Sequence, residues 1–459
     1  MTVFSARMTC LRLLVLACVI FGLCRSAEAG GPLFVGSPAF GVDGQAFTWD
    51  NSKLIQYRTD SGALGTMDNT TANATLAQAF SAWTQTATAS LSVQNAGALL
   101  GVANGHVSNV SDFNAVVASC NAGTQSPIVY DSSGSIFQQL LGDASVIGFT
   151  SVCDLTSSGH IQSALILLTG GAGLTTTQQS NVMMHETGHF FGLDHSAPGS
   201  GPCGTTPDDI TALPIMFFRL SSQVGLSPDD KAWISMLYPS TTFNSVYGVI
   251  TGQVFFSDGQ NGVQDVLVTA HPISPGSMAG ENRAIAISSI SGYRFTANPG
   301  QPFTADYLAC TPASACPHGF YGNNVDGSSF GSRLPSLLGW FELPVPAGSY
   351  ALQISSLICG GKIGPINPVI PPPGPGEYWN AHESANDADF SSADCTSPPV
   401  LDPVTVQPGT PTNNINFIMN RTAPAFDVFE SLSGQIPGQR RPLSVATSDN
   451  ATRARAGIE

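Results

Sequence analysis

Apolar residues recur along the first half of the chain with two different periods, and the change between them marks out the elements. Phe47-Thr48-Trp49 and Leu54-Ile55-Gln56-Tyr57-Arg58 carry the short alternation of an early strand. Leu76-Ala77-Gln78-Ala79-Phe80-Ser81-Ala82-Trp83 instead repeats at three- and four-residue steps and predicts an amphipathic helix. Ser126-Pro127-Ile128-Val129-Tyr130 predicts a second strand, running into Asp131-Ser132-Ser133-Gly134-Ser135, whose residue types suit a turn. Ile161 to Leu168 is a further apolar strand. Ser180-Asn181-Val182-Met183-Met184 then leads into a helix with a core-facing side, and Leu226 to Tyr238 predicts another, with Ser227 as N-cap and Pro228 at the first helical position. Strands alternating with helices predict an α/β domain over residues 30–243, built on a mixed, twisted sheet.

From about Val246 the helical period disappears. Tyr247 to Phe256 and Gly262 to Ala270 alternate around the turn signal Asp258-Gly259, and Gly339 to Ile354 and Asn414 to Met419 add further strands. An all-β sandwich over residues 244–420 accounts for this pattern, with an insertion near 292–338 separating its halves. Pro365 to Pro375 reads as an extended loop, and the polar, aperiodic stretch 421–459 as a disordered tail.

Composition changes the picture in three ways. Arg7 and Arg12 precede the apolar run Leu13 to Cys24, and Ala27-Glu28-Ala29 has the small residues of a signal-peptidase site, so residues 1–29 read as a signal peptide and the mature chain as beginning at Gly30. That leader places the protein outside the cytoplasm, secreted or extracellular, and no later stretch is apolar and long enough for a transmembrane anchor. A net charge of -15 with only 10% charged residues offers no basic stripe, which argues against nucleic acid as a partner. Export permits disulfides, and of the seven cysteines beyond the leader Cys120 and Cys153 are the expected pair in the first domain, leaving Cys203 over. Cys310, Cys316, Cys359 and Cys395 allow two bridges with open pairing. Five Asn-x-Ser/Thr sequons, at Asn69, Asn73, Asn109, Asn420 and Asn450, are no more than this Ser/Thr content explains.

The chemistry is concentrated in His185-Glu186-Thr187-Gly188-His189-Phe190-Phe191-Gly192-Leu193-Asp194-His195. Positions four apart share a helix face, so His185 and His189 can present two ring nitrogens to one metal ion with Glu186 beside them. Gly192 can take the backbone angles that end a helix and bring His195 in as third ligand from another direction. Three protein ligands leave a position open, the arrangement of catalytic rather than structural zinc.

These residues resemble the metzincin metalloproteases, whose signature is HExxHxxGxxH followed by a methionine-containing turn. Ser196 after the third histidine makes the chain similar to the matrixins, the matrix-metalloproteinase type, and Ala212-Leu213-Pro214-Ile215-Met216-Phe217-Phe218 is similar to their methionine turn. The resemblance implies a metzincin α/β fold with an active-site helix and Met216 as an apolar floor under the metal. It implies a substrate pocket near Phe217 and Phe218, and an edge strand at Ile161 to Leu168 along which an extended peptide pairs. Two departures matter. No cysteine-switch motif precedes the first strand, so latency by a thiolate on zinc is not implied, and His106 and His160 stand alone rather than in the family's structural-zinc cluster. One zinc ion is therefore expected, with Asp131 a candidate ligand for calcium. The second half resembles the carboxypeptidase-regulatory-like domain, a small antiparallel sandwich with an ITGxV strand (Ile250 to Val254) and a PAGxY turn (Pro346 to Tyr350).

The expectation is a monomeric, secreted zinc endopeptidase acting on polypeptide substrates. Two alternatives stand beside it: a surface- or matrix-binding protein in which the metzincin domain is idle, and a zinc hydrolase of non-peptide amides.

Overall fold

The computed structural model describes residues 30–36, 42–141, 146–196, 213–217, 220, 225–260, 262–263, 266–273, 285–294, 332, 334–355, 377–387 and 402–420. The expected signal peptide, Cys203, Phe218, the four later cysteines, most of the 292–338 insertion, the proline-rich stretch and the tail lie outside them.

Six strands form the first sheet: β1 (Thr48–Trp49), β2 (Ile55–Thr59), β3 (Val93–Ala98), β4 (Pro127–Asp131), β5 (Gly148–Leu155) and β6 (His160–Thr169). Their order is β1-β6-β4-β2-β3, all parallel, with β5 pairing antiparallel to β6. Between them run α1 (Asn69–Thr84), α2 (Val110–Asn121) and α3 (Ser135–Leu141). After β6 come α4 (Thr176–Phe190) and α5 (Pro228–Leu237). The mixed α/β sheet is thus present, and the Ser227 cap with Pro228 at the first turn is formed as expected.

Alternate residues of β4 and β6 feed two different cores, which is why these strands are apolar throughout. Ile128, Tyr130, Ile166 and Leu168 pack with Leu76, Phe80 and Trp83 of α1 and Val182, Met183 and Phe190 of α4. Val129, Leu165 and Leu167 pack on the other side with Phe113, Val116 and Val117 of α2. A disulfide joins Cys120 of α2 to Cys153 of β5, the expected pair.

One strand expectation is corrected. Residues 161–168 lie in β6, which has β4 on one side and β5 on the other, so they are central. The edge beside β6 is β5, Gly-Phe-Thr-Ser-Val-Cys-Asp-Leu, half-buried over much of its length and paired on one side only among the described residues. Asp131, the calcium candidate, ends β4 with its Oδ2 accepting the N–H groups of Ile136 and Phe137 at 2.7 and 2.9 Å, which caps the start of α3.

The second half forms two facing sheets. One holds β7 (Tyr247–Phe255), β10 (Trp340–Pro346), β14 (Pro411–Thr412) and β15 (Phe417–Ile418). The other holds β8 (Leu267–Pro272), β9 (Ile287–Ile290), β11 (Gly348–Ser355), β12 (Glu377–Tyr378) and β13 (Val404–Val406). Ile250, Val254, Phe341 and Leu343 from the first meet Val268, Ala270, Leu352 and Ile354 from the second in a single core. The sandwich departs from an all-antiparallel one, because β14 and β15 both join β7 in parallel. Helix α5 serves both halves: Trp233 and Ile234 pack in the α/β core and Ala232 in the sandwich core.

Candidate metal centre

Helix α4 begins on a capping box, with the Thr175 side chain accepting from the Gln178 amide and Gln178 reaching back to the Thr175 N–H. It ends where Gly192 takes φ +83°. There Gly192 N–H donates to His189 C=O at 2.8 Å and Leu193 N–H to Gly188 C=O at 3.1 Å, the pairing that closes a helix through a left-handed residue. Leu193 also pairs with Pro32, and Asp194 N–H donates to Gly31 C=O at 2.9 Å, so the loop carrying His195 is clasped by the first described residues.

This backbone brings the three histidines together. His189 Nε2 lies 3.0 Å and His195 Nε2 3.2 Å from His185 Nε2, and one ligand atom from each residue falls within 4.8 Å of the others. His185 Nδ1 is 2.7 Å from Ile215 C=O and His189 Nδ1 2.8 Å from Leu193 C=O. A carbonyl only accepts, so both Nδ1 atoms carry the proton and both Nε2 atoms present a lone pair. Two lone pairs facing at 3.0 Å repel unless an electron-pair acceptor sits between them. A proton is a poor candidate, since burial pushes His185 down to about 4 and His189 to about 3, the latter also through the neighbouring His185. The residues fit a divalent cation held by neutral imidazoles, with the backbone carbonyls fixing the ring orientations.

Glu186 is buried beside them, and desolvation raises its carboxyl to about 8, against the Thr150 hydroxyl that donates to Oε2 at 2.5 Å. Thr150 belongs to β5, and a side chain at Gly148 of the same strand would run into the Glu186 carboxylate. The edge strand thus lies directly over the glutamate.

Met216 is buried against α4: a Cβ at Gly188, between His185 and His189 in sequence, would collide with its sulfur and with the Trp83 ring. Two consecutive aspartates at the start of α5 hold the surrounding loops. Asp230 accepts from the N–H groups of Ile215, Met216 and Ser227 at 2.9, 3.1 and 2.8 Å. Asp229 accepts the Ser196 hydroxyl, and Ser196 N–H donates to Met216 C=O at 2.8 Å. Burial raises both carboxyls, Asp229 to about 7. The sequence singled out the helix that carries this pair but not the pair, although adjacent acidic residues in a first helical turn are a visible signal. Phe217 is half-buried next to Met216. Of the other histidines, His106 pairs with the buried Asp60 at 2.6 Å, and His160 lies 3.3 Å from Thr48 C=O. Neither joins a group of three potential ligands among the described residues.

No protein-family model matches the chain, and no curated protein matches it. Among solved structures it is similar to a chain of the GM1-bound form of the ECX AB5 holotoxin, at 12% identity over 46% of this chain and 88% of that one. The TM-score of 0.27 is too low for that likeness to carry any argument.

Proposed function

We propose that the chain is a secreted, matrixin-like zinc endopeptidase that hydrolyses peptide bonds. The observation that carries this reading is the convergence of three imidazole nitrogens with Glu186 beside them and an edge strand above. His185, His189 and His195 would hold one zinc ion, which supplies Lewis acidity to a carbonyl oxygen and acidity to a water molecule.

The chain's own residues account for the remaining steps. An extended peptide adds to the side of β5 that pairs with no other strand among the described residues, through backbone hydrogen bonds, which aligns its scissile bond with the histidine cluster. Glu186 removes the proton from the attacking water and afterwards gives it to the leaving amine, so that one carboxylate serves as base and then acid. A carboxyl pushed upward by burial returns toward the ionised form beside a cation, which suits the first of these roles. Phe217 forms one wall of an apolar pocket for the residue after the cleaved bond. Among the described residues the sandwich carries no further group of three potential metal ligands, and its sequence pattern is similar to carboxypeptidase-regulatory-like domains.

The experiment is incubation of the purified mature protein with unfolded casein or gelatin, with and without a chelator, beside Glu186→Gln. Wild type should cleave, the chelator should stop it, and Glu186→Gln should keep zinc while losing about a thousandfold or more in rate. Wild type and Glu186→Gln equally inactive on every peptide library would sink the protease reading and favour an idle domain beside a binding module.

A further inference from the structure

Strand β9 is the edge of its sheet, in the order β12-β11-β8-β9, yet its residues are 0 to 1% exposed. An edge strand leaves one row of N–H and C=O groups without a strand partner, and a buried group of this kind must find another. At Ser288 the partners come from the α/β domain. Its N–H donates to Asp229 Oδ1 at 2.7 Å, its hydroxyl lies 3.2 Å from the same oxygen, and its carbonyl accepts from Trp233 Nε1 at 2.7 Å. Tyr293, just beyond β9, adds an edge-to-face contact to Trp233 with centroids 6.2 Å apart.

The other Asp229 oxygen accepts the hydroxyl of Ser196, the residue after His195. One buried carboxylate therefore links an edge strand of the sandwich to the loop that delivers the third imidazole. Without the two Ser288 donors, Asp229 Oδ1 would lose both of these hydrogen bonds while staying buried, and a carboxylate in that position reorients or takes up a proton. Either change loosens its hold on Ser196.

We propose that Ser288, in the β-sandwich, is a positioning residue for the metal centre, acting through Asp229 and Ser196 on His195. The sandwich is then a structural part of the site rather than an appendage. This inference rests on the histidine cluster binding zinc, as the proposed function requires, but not on the substrate being a peptide.

The test measures zinc affinity of the full chain by competition with a chromophoric chelator, with thermal unfolding recorded for each variant. Ser288→Ala removes the hydroxyl and keeps the backbone donor, and should weaken zinc binding about threefold to tenfold. Asp229→Ala should weaken it about 10- to 100-fold. Ser288→Ala added to Asp229→Ala should have no further effect, and Ser288→Thr, which keeps a hydroxyl, should restore affinity toward wild type. Ser289→Ala controls for disturbance of β9, since that hydroxyl is buried with no hydrogen-bond partner among the described residues. Wild-type affinity in Ser288→Ala, a loss matched by Ser289→Ala, or full additivity with Asp229→Ala overturns the proposal while leaving the metal site standing. Failure of the wild-type chain to bind zinc overturns both.

Discussion

Asp230→Asn is an isosteric change whose effect can be worked out from the hydrogen bonds around it. The Asp230 carboxylate is 1% exposed and accepts three backbone N–H groups, two through Oδ2 and one, from Met216, through Oδ1 at 3.1 Å. An amide placed with its oxygen at the Oδ2 position keeps the first two bonds in weaker, neutral form and turns an NH2 group toward Met216 N–H. One charge-assisted bond is lost and one buried donor is left facing another, which together cost about 2–4 kcal/mol. For a domain of this size that corresponds to a fall in Tm of roughly 5–15 °C, read by near-UV circular dichroism of the metal-free chain. The damage should also reach the metal. Ile215, whose N–H is held by Asp230, offers its carbonyl to His185 Nδ1, so zinc affinity should drop at least about tenfold. A Tm within 2 °C of wild type with unchanged zinc affinity would refute the claim that this carboxylate anchors the methionine-bearing turn.

In the metal-free chain, burial holds Glu186 at about 8 and Asp229 and Glu383 at about 7, so the folded state keeps protons that unfolded carboxyls release near pH 4. His185 and His189 are shifted downward and act in the opposite sense, but only below about 6.5, where an unfolded histidine gains its proton. Between about pH 6.5 and 8 the carboxyls alone remain, and urea titrations of chelator-treated protein should show stability falling as pH rises; a rise over that span would contradict the assigned burial. Replacing Cys120 and Cys153 by serine removes a cross-link spanning a sequence separation of 33 and should cost about 4 kcal/mol, seen as a lower urea midpoint. An unchanged midpoint would mean that the bridge adds nothing in solution.

The histidine cluster was legible because the relevant spacing is local. Four residues along one helix and a glycine that can turn the chain are properties of a short window, and His185, His189 and His195 converge as that window implies. The Ser227 cap was readable for the same reason. The edge strand was not. Residues 148–155 mix Thr150, Ser151 and Asp154 with apolar side chains and are half-buried over much of their length, whereas residues 161–168 send alternate apolar side chains into cores on both faces of β6. Continuous apolarity signals a central strand, and residues 161–168 accordingly lie between β4 and β5 rather than at the edge that the resemblance implied. Helix α2, absent from the sequence reading, starts at Val110 on an Asn109 side-chain cap with Asp112 in its first turn. The contact between Asp229 and Ser288 joins positions from different domains, and nothing in either local sequence announces it.

The clasp of Gly31 and Leu33 on Gly192 and Asp194 bears on the order in which the site comes together. Helix α4 needs only its own turns to set His185 and His189 side by side, an event of the kind that takes microseconds or less. The loop of His195, by contrast, is pinned by residues from the far end of the α/β domain, and such a closure waits until the intervening strands have paired. The third imidazole therefore arrives late. In a refolding experiment, helical signal should precede tight zinc binding, and the ion would report not on the helix that carries two of its ligands but on completion of the whole domain.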